Sequence, residues 1–211
     1  MKTSRSLSVL FGLLAILVSA PARADFPFVS SAAVAGAASG SIIYKIAQNP
    51  SSGDIYAAGA LQGGGTGADI WVGRYNASLV LQSSYTYDKA GFSDEAAGVA
   101  VDTVTGSVFV AGYVSTSALA IGRDIWLAKF DSSLILQSSV TVDGSAFSYD
   151  EANAVRVSSN VVFVVGSSSQ PGGGGTWIAR YDTNLVLLSS AVFTQLGAYS
   201  WDVLPTASGT F

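Results

Sequence analysis

The stretch DIWLAKFDSSLILQSS, Asp124–Ser139, has a near copy in DIWVGRYNASLVLQSS, Asp69–Ser84, and a third in TWIARYDTNLVLLSS, Thr176–Ser190. Their tryptophans, Trp71, Trp126 and Trp177, are spaced 55 and 51 residues apart. A second block precedes each copy: IAQNPSSGDIYAAG ending at Gly59, VAVDTVTGSVFVAG ending at Gly112, and VRVSSNVVFVVG ending at Gly166. These glycines lie 53 and 54 residues apart. Two separate blocks sharing one period define a repeat in the length range of propeller blades.

Within a unit the pattern predicts four short strands. Strand a spans Gly98 to Asp102 and ends in the turn Thr103 to Gly106; strand b, Val108 to Tyr113, is rich in Val and aromatics. A Ser/Gly-rich loop leads to strand c, Ile125 to Phe130, and a turn at Asp131 to Ser133 leads to strand d, Leu134 to Val142. Alternation puts Ile125, Leu127 and Lys129 on one face of strand c and Trp126, Ala128 and Phe130 on the other. No segment of the mature chain has a convincing capped 3.6-residue periodicity, so nearly no helix is expected. The expected fold is all-β: a β-propeller of four-stranded antiparallel blades, with a β-sandwich as the runner-up. Internal near-identity favours the propeller, because every blade must fill the same wedge.

The amino terminus reads as an address. Lys2 and Arg5 precede an apolar run from Leu7 to Ala20, and Ala22-Arg23-Ala24 is a small-x-small site. These are the parts of a secretory signal peptide over residues 1–24, with cleavage after Ala24, and the run is short of the roughly 20 residues that span a bilayer. The mature chain is then expected to be secreted, periplasmic or at the cell surface. It would keep 7 basic and 14 acidic residues, a net charge of −7. Such a chain offers no basic stripe to nucleic acid or to an anionic membrane. The absence of Cys and His removes disulfides, thiolate and imidazole metal sites and the Ser-His-Asp triad.

Residues 25–211 divide into approximate units 26–76, 78–131, 133–182 and a partial 184–211. In this phase Phe26 to about Gly36 aligns with strand d, and Ser200 to Phe211 with strand a, its turn and the first residue of strand b. About three and a half blades are therefore expected, an incomplete or open ring that self-association or further blades would close.

The motif Asp124, Trp126, Ala128, Lys129, Phe130 and Asp131, followed by Asp150, Glu151, Ala152, Val155, Val157, Phe163 and Gly166, resembles the bacterial SBBP-type β-propeller repeats. It is also similar to the delta-sixty-type repeats of bacterial surface proteins. The resemblance runs from Ile46 to Tyr199 and implies an architecture rather than an activity. The chain departs from it at Thr176, where Asp is expected, and by a two-residue deletion around Ser159-Asn160.

Candidate functional residues are the matched acidic pairs Asp94-Glu95 and Asp150-Glu151, with Asp88 and Asp143 upstream. Clustered carboxylates suit Ca²⁺, while Asp in turns equally accepts backbone N–H groups. Trp71, Trp126 and Trp177 could stack on a sugar, though inter-blade core is the commoner use of such residues. Gly59, Gly112 and Gly166 belong with that structural core. Arg74, Lys129 and Arg180 recur after the Trp, with Asp69 and Asp124 before it. They suggest a charged channel or, more simply, ion pairs between neighbouring blades. Gln62 to Gly67 and Gln170 to Gly175 are Gly-rich but lack the Lys-Ser/Thr of a P-loop, and Asn76-Ala77-Ser78 fits a glycosylation acceptor.

The functional expectation is an exported, non-enzymatic module that binds an unknown protein or carbohydrate and needs no cofactor. The alternatives are an exported propeller hydrolase or lyase with an acidic, calcium-dependent site, and a structural fragment of a longer repeat protein. A catalytic site should break the repeat with residues found in one blade only.

Overall fold

The structure is a computed structural model that describes residues 40–63, 67–89, 91–116, 122–143, 149–170, 173–194 and 200–205. The segment 1–24 expected to be a signal peptide, the amino-terminal strand expected at 26–36 and residues 206–211 lie outside them. Twelve strands follow in order: β1 (Ile42–Gln48), β2 (Ile55–Gln62), β3 (Ala68–Tyr75), β4 (Leu81–Tyr87), β5 (Glu95–Val101), β6 (Val108–Ser115), β7 (Arg123–Phe130), β8 (Leu136–Val142), β9 (Glu151–Ser158), β10 (Val161–Gln170), β11 (Gly173–Asp182) and β12 (Leu187–Phe193). They form three four-stranded antiparallel meanders, β1–β4, β5–β8 and β9–β12. The described residues contain no helix, hence none long and apolar enough to cross a membrane. The described residues are thus all-β, with three blades in an open, propeller-like arrangement.

Strand a of each blade lies innermost: β5 packs on β1, β2 and β3, and β9 on β5, β6 and β7. The alternation in β7 sends Trp126, Ala128 and Phe130 into a core with Tyr56, Ile70 and Val72 of the first blade. Ile125 and Leu127 go the other way, into a core with Val155, Val162, Val164 and Trp177 of the third. The outer strands seal these interfaces. Tyr87 stacks on Trp126 at 5.7 Å and 12°, and Tyr85 meets Phe130 edge-on at 4.8 Å. The Tyr56 hydroxyl adds a 2.8 Å hydrogen bond to the Ser132 carbonyl across the same interface.

Equivalent positions differ where a blade has no neighbour among the described residues. Ile46 of β1 is 69% exposed, whereas Val99 and Val155, at the same place in β5 and β9, are 2% and 0% exposed. On the far side of the third blade, Val203 is buried against Ala154, Phe163 and Val165. Asp202 beside it pairs with Arg156 at 2.6 Å. The segment aligned with a fourth strand a therefore docks where a strand a would.

Several strand ends differ from those expected. Strand a begins at Glu95 rather than Gly98, because a β-bulge between Ala96 and Gly98 lets pairing resume upstream. Strand d begins at Leu136, since Leu134 belongs to the turn, at φ 66°. There the Asp131 carboxylate accepts the N–H groups of Ser133 and Ile135, both at 2.9 Å, and a buried Leu134 offsets the left-handed backbone. Asn76 and Asp182 hold identical turns, so the Asn76-Ala77-Ser78 motif is explained by its turn. The deletion at Ser159-Asn160 leaves a two-residue hairpin turn with both residues at positive φ, 51° and 62°.

Candidate functional site

Each strand a carries a bulge opposite a glycine of strand b. The register skips Tyr44, Ala97 and Asn153 in turn, beside Gly59, Gly112 and Gly166. A Cβ on any of these glycines would sit 1.9 Å from a strand-a carbonyl, that of Ile42, Glu95 or Glu151. The repeated glycine is therefore what lets the bulge close, and the bulge sets Ile42, Glu95 and Glu151 at equivalent places at the start of the inner strands. Two of those three are carboxylates.

Four side chains without counterparts in the other blades gather around them. Tyr113 follows Gly112 where the other blades have Ala60 and Ser167; Arg123, three residues before Trp126, replaces Ala68 and Gly174. Tyr44 occupies the bulge position of Ala97 and Asn153, and Tyr149 precedes Asp150 as Ser93 precedes Asp94. The Arg123 guanidinium lies 4.0 Å over the Tyr113 ring and 5.4 Å from that of Tyr149, and its Nη1 donates to Glu151 Oε2 at 3.0 Å. The Tyr113 and Tyr44 phenols both lie beside the Glu95 carboxylate. Burial first, and the Glu95 contacts second, raise both phenols: Tyr44 to about 12, and Tyr113 further. One connected network thus runs from the first blade to the third. Tyr44 and Tyr149 keep 42% and 49% of their surface exposed.

One buried donor of the network, Arg123 Nε, lacks a hydrogen-bond partner among the described residues, as do Arg74 Nε, Arg180 Nε and the Asn153 amide nitrogen elsewhere. Burying an unpaired donor is costly, so such groups call for an explanation. The sequence expectations named Glu95 and Glu151 but missed Tyr44, Tyr113, Arg123 and Tyr149. Comparison of the blades position by position would have found them, because each is present in one blade only.

The other acidic residues have different surroundings. Asp94 has no exposed surface; its N–H donates to the Ala68 carbonyl of the preceding blade at 2.7 Å, and its carboxylate accepts the N–H of Ser115 at 2.7 Å and of Lys89 at 2.5 Å. Asp150 repeats this, with its N–H on the Arg123 carbonyl at 3.0 Å and its Oδ1 on the Ser169 N–H at 2.7 Å. Both are clips that fasten one blade to the next. Burial, against those two N–H groups, raises the Asp94 carboxyl to about 6, with help from Asp88 and Asp69. Burial and Asp88 likewise raise Asp69. Asp124 is raised by burial against the opposing Lys89 ammonium, 3.4 Å away. No group of three or more acidic side chains converges in metal-holding geometry among the described residues. Glu95 and Glu151 turn to the aromatic network instead, so each acidic pair splits between two tasks.

The repeated cations pair within their own blades rather than between neighbours. Arg74 meets Asp54 at 3.0 Å, Lys129 stands by Asp102, and Arg180 lies 5.8 Å from the Phe163 ring centroid. At Asp102 burial works against ionisation, but the Thr105 hydroxyl, two N–H groups and Lys129 outweigh it and hold the carboxyl low. Trp71, Trp126 and Trp177 are buried and take no part in the network. Gly173, Gly174 and Gly175 pair with β10 and so extend a strand rather than a loose loop. Gly64, Gly65, Thr66, Pro171 and Gly172 lie outside the described residues. The register places Gly175, not Thr176, at the position of Asp69 and Asp124: Trp177 pairs with Gly166 as Trp71 does with Gly59 and Trp126 with Gly112, and the Asp stands two residues before the Trp. A cleft of about 390 Å³ opens at the opposite rim, between the turns at Asp102–Val104 and Ser158–Asn160, away from the network.

Fold and site together define a propeller-type repeat protein in which one inner rim gathers four side chains present in single blades. No family model and no curated protein matches the chain. Among solved structures it is similar to the β-propeller domain of the Trilobed protease from Pyrococcus furiosus, which has an open velcro topology. The identity is 9%, the TM-score 0.43, and the match covers 74% of this chain and 44% of that one. The chain thus spans less than half the length of that neighbour.

Proposed function

We propose that this chain is an exported, non-enzymatic β-propeller module of SBBP-type repeats that binds a ligand at the rim formed by Tyr44, Glu95, Tyr113, Arg123, Tyr149 and Glu151. One observation carries the reading: four residues that break the repeat, Tyr44, Tyr113, Arg123 and Tyr149, converge on a single network. In a repeat protein a side chain present in every blade serves the repeat, whereas a departure confined to one blade serves something else. The acidic positions Asp94 and Asp150 favour structure over catalysis. Their carboxylates are spent on backbone N–H groups, and Asp94 is closed to solvent.

Arrays of glycans and peptides probed with the exported protein test this reading. A bound class that Tyr149→Ala abolishes, with the melting temperature kept, supports it. A bound class untouched by both Tyr149→Ala and Tyr44→Ala would place binding elsewhere. Export is tested separately by sequencing the mature amino terminus, expected at Asp25.

A further inference from the structure

The outer strand of each blade is a sheet edge. Among the described residues β4, β8 and β12 pair on one side only, with strand c of their own blade, and an edge strand presents backbone N–H and C=O groups on its other side. Such edges are usually blunted by charged residues or proline, yet LQSSYTY, LQSSVTV and LLSSAVF contain neither. The third edge also departs from the other two. Gln82 and Gln137 fold back to donate to the carbonyls of Val80 and Ile135, at 2.9 and 3.1 Å, whereas the third blade has Leu188 at their position. Val186, Leu187, Leu188 and Phe193 are all exposed, large apolar side chains gathered on one strand and its turn.

The residue order of β12 is self-complementary. An antiparallel pairing of two copies centred on Ser190 sets Leu187 opposite Phe193 and Leu188 opposite Val192, each pair occurring twice by symmetry, with Ser189, Ser190 and Ala191 between them. Opposite residues share a face, so the joint is apolar on both faces. The same alignment of β8 or β4 would oppose Gln137 to Thr141 or Gln82 to Thr86 and bury less apolar surface. Charge points the same way. The chain is acidic overall, so two copies repel except where both lack charge, and β12 carries none. We propose that β12 is a dimerisation edge, pairing antiparallel with β12 of a second copy of this chain so that two third blades become one continuous sheet.

Sedimentation equilibrium of the exported protein, at concentrations up to roughly 100 μM, is expected to show a monomer–dimer equilibrium. Leu188→Gln, which copies the other two blades, should raise the dimer dissociation constant about tenfold or more. Ile135→Gln, which removes an exposed aliphatic beside β8, should leave it unchanged. The chain has no cysteine, so Ser190→Cys reads the register: oxidation should link two copies through it, while Ser139→Cys, at the matching place in β8, should stay unlinked. A monomer at every concentration overturns the proposal. A dimer that keeps its affinity in Leu188→Gln and Leu188→Lys overturns it too, and places the contact on another surface such as the blade faces. Weakening by Leu188→Gln without a Ser190→Cys link overturns the antiparallel register.

Discussion

The Ser115 N–H donates to a carboxylate oxygen of Asp94 at 2.7 Å, joining the end of strand b to the head of strand a in a place with no solvent access. Because the Asp94 N–H also reaches the preceding blade, this one residue ties blade geometry to blade stacking.

The pH dependence of stability follows from that burial. Raised from 3.8 to about 6, the Asp94 carboxyl keeps its proton in the folded protein after the unfolded chain has released it. The stabilisation this gives is complete below the unfolded value and is lost as pH rises through the folded one. Urea denaturation of the native protein and Asp94→Asn at pH 4 and pH 7 should show the native advantage shrinking by on the order of 2 kcal/mol. The low Asp102 carboxyl acts in the opposite sense but cancels in the comparison. A difference that stays constant with pH would disprove the assignment.

The bulge glycines and the turn glycines should respond differently to alanine. At Gly112 a Cβ would stand 1.9 Å from the Glu95 carbonyl oxygen and 2.9 Å from the Ala96 Cα, both backbone atoms of β5. Gly112→Ala is expected to prevent β5 from pairing with β6 and to yield no cooperative unfolding transition. Gly53→Ala meets only Ala77 at 3.5 Å, and its cost is the positive φ of 76°, about 1 kcal/mol. Circular dichroism melts of both variants check this; similar melting points would mean that the bulge can relax.

Equivalent apolar positions give a second contrast. Val99 is sealed between blades, so Val99→Ala should cost roughly 1–3 kcal/mol through lost burial and a cavity. Ile46→Ala, at the same place in β1, should stay within about 0.5 kcal/mol. Equal losses in chemical denaturation would show that the first blade's inner strand is covered in solution.

Much of this architecture was legible because a repeat prints it several times. The period located the strands, and alternation in Ile125–Phe130 correctly assigned both faces of β7. Boundaries were less legible: no residue type announces that Leu134 sits in a left-handed turn, since Leu rarely does. The rim was harder still. Repetition draws the eye to the residues that recur, such as Asp94 and Asp150, and those proved to be clips. Tyr44, Tyr113, Arg123 and Tyr149 come from four separate strands or connections, and only the stacking of three blades brings them together.

Restoring the repeat should separate stability from binding. Residues held at a site for function are often not the most stable choice, so replacing them with the residues of neighbouring blades is expected to be tolerated. Tyr44→Ala copies Ala97 and Tyr149→Ser copies Ser93. Both side chains are about half exposed, and each variant should lie within about 0.5 kcal/mol of the native protein. Arg123→Ala, which copies Ala68, differs because it strands the Glu151 carboxylate from its partner and should cost roughly 1–3 kcal/mol. Adding Glu151→Gln should recover part of that loss, as the uncompensated charge disappears with the cation. Thermal melts and ligand titration on the same four proteins decide the matter. Loss of ligand in Tyr44→Ala and Tyr149→Ser at unchanged stability makes these departures functional. Large stability losses in both would make the network a structural latch between blades.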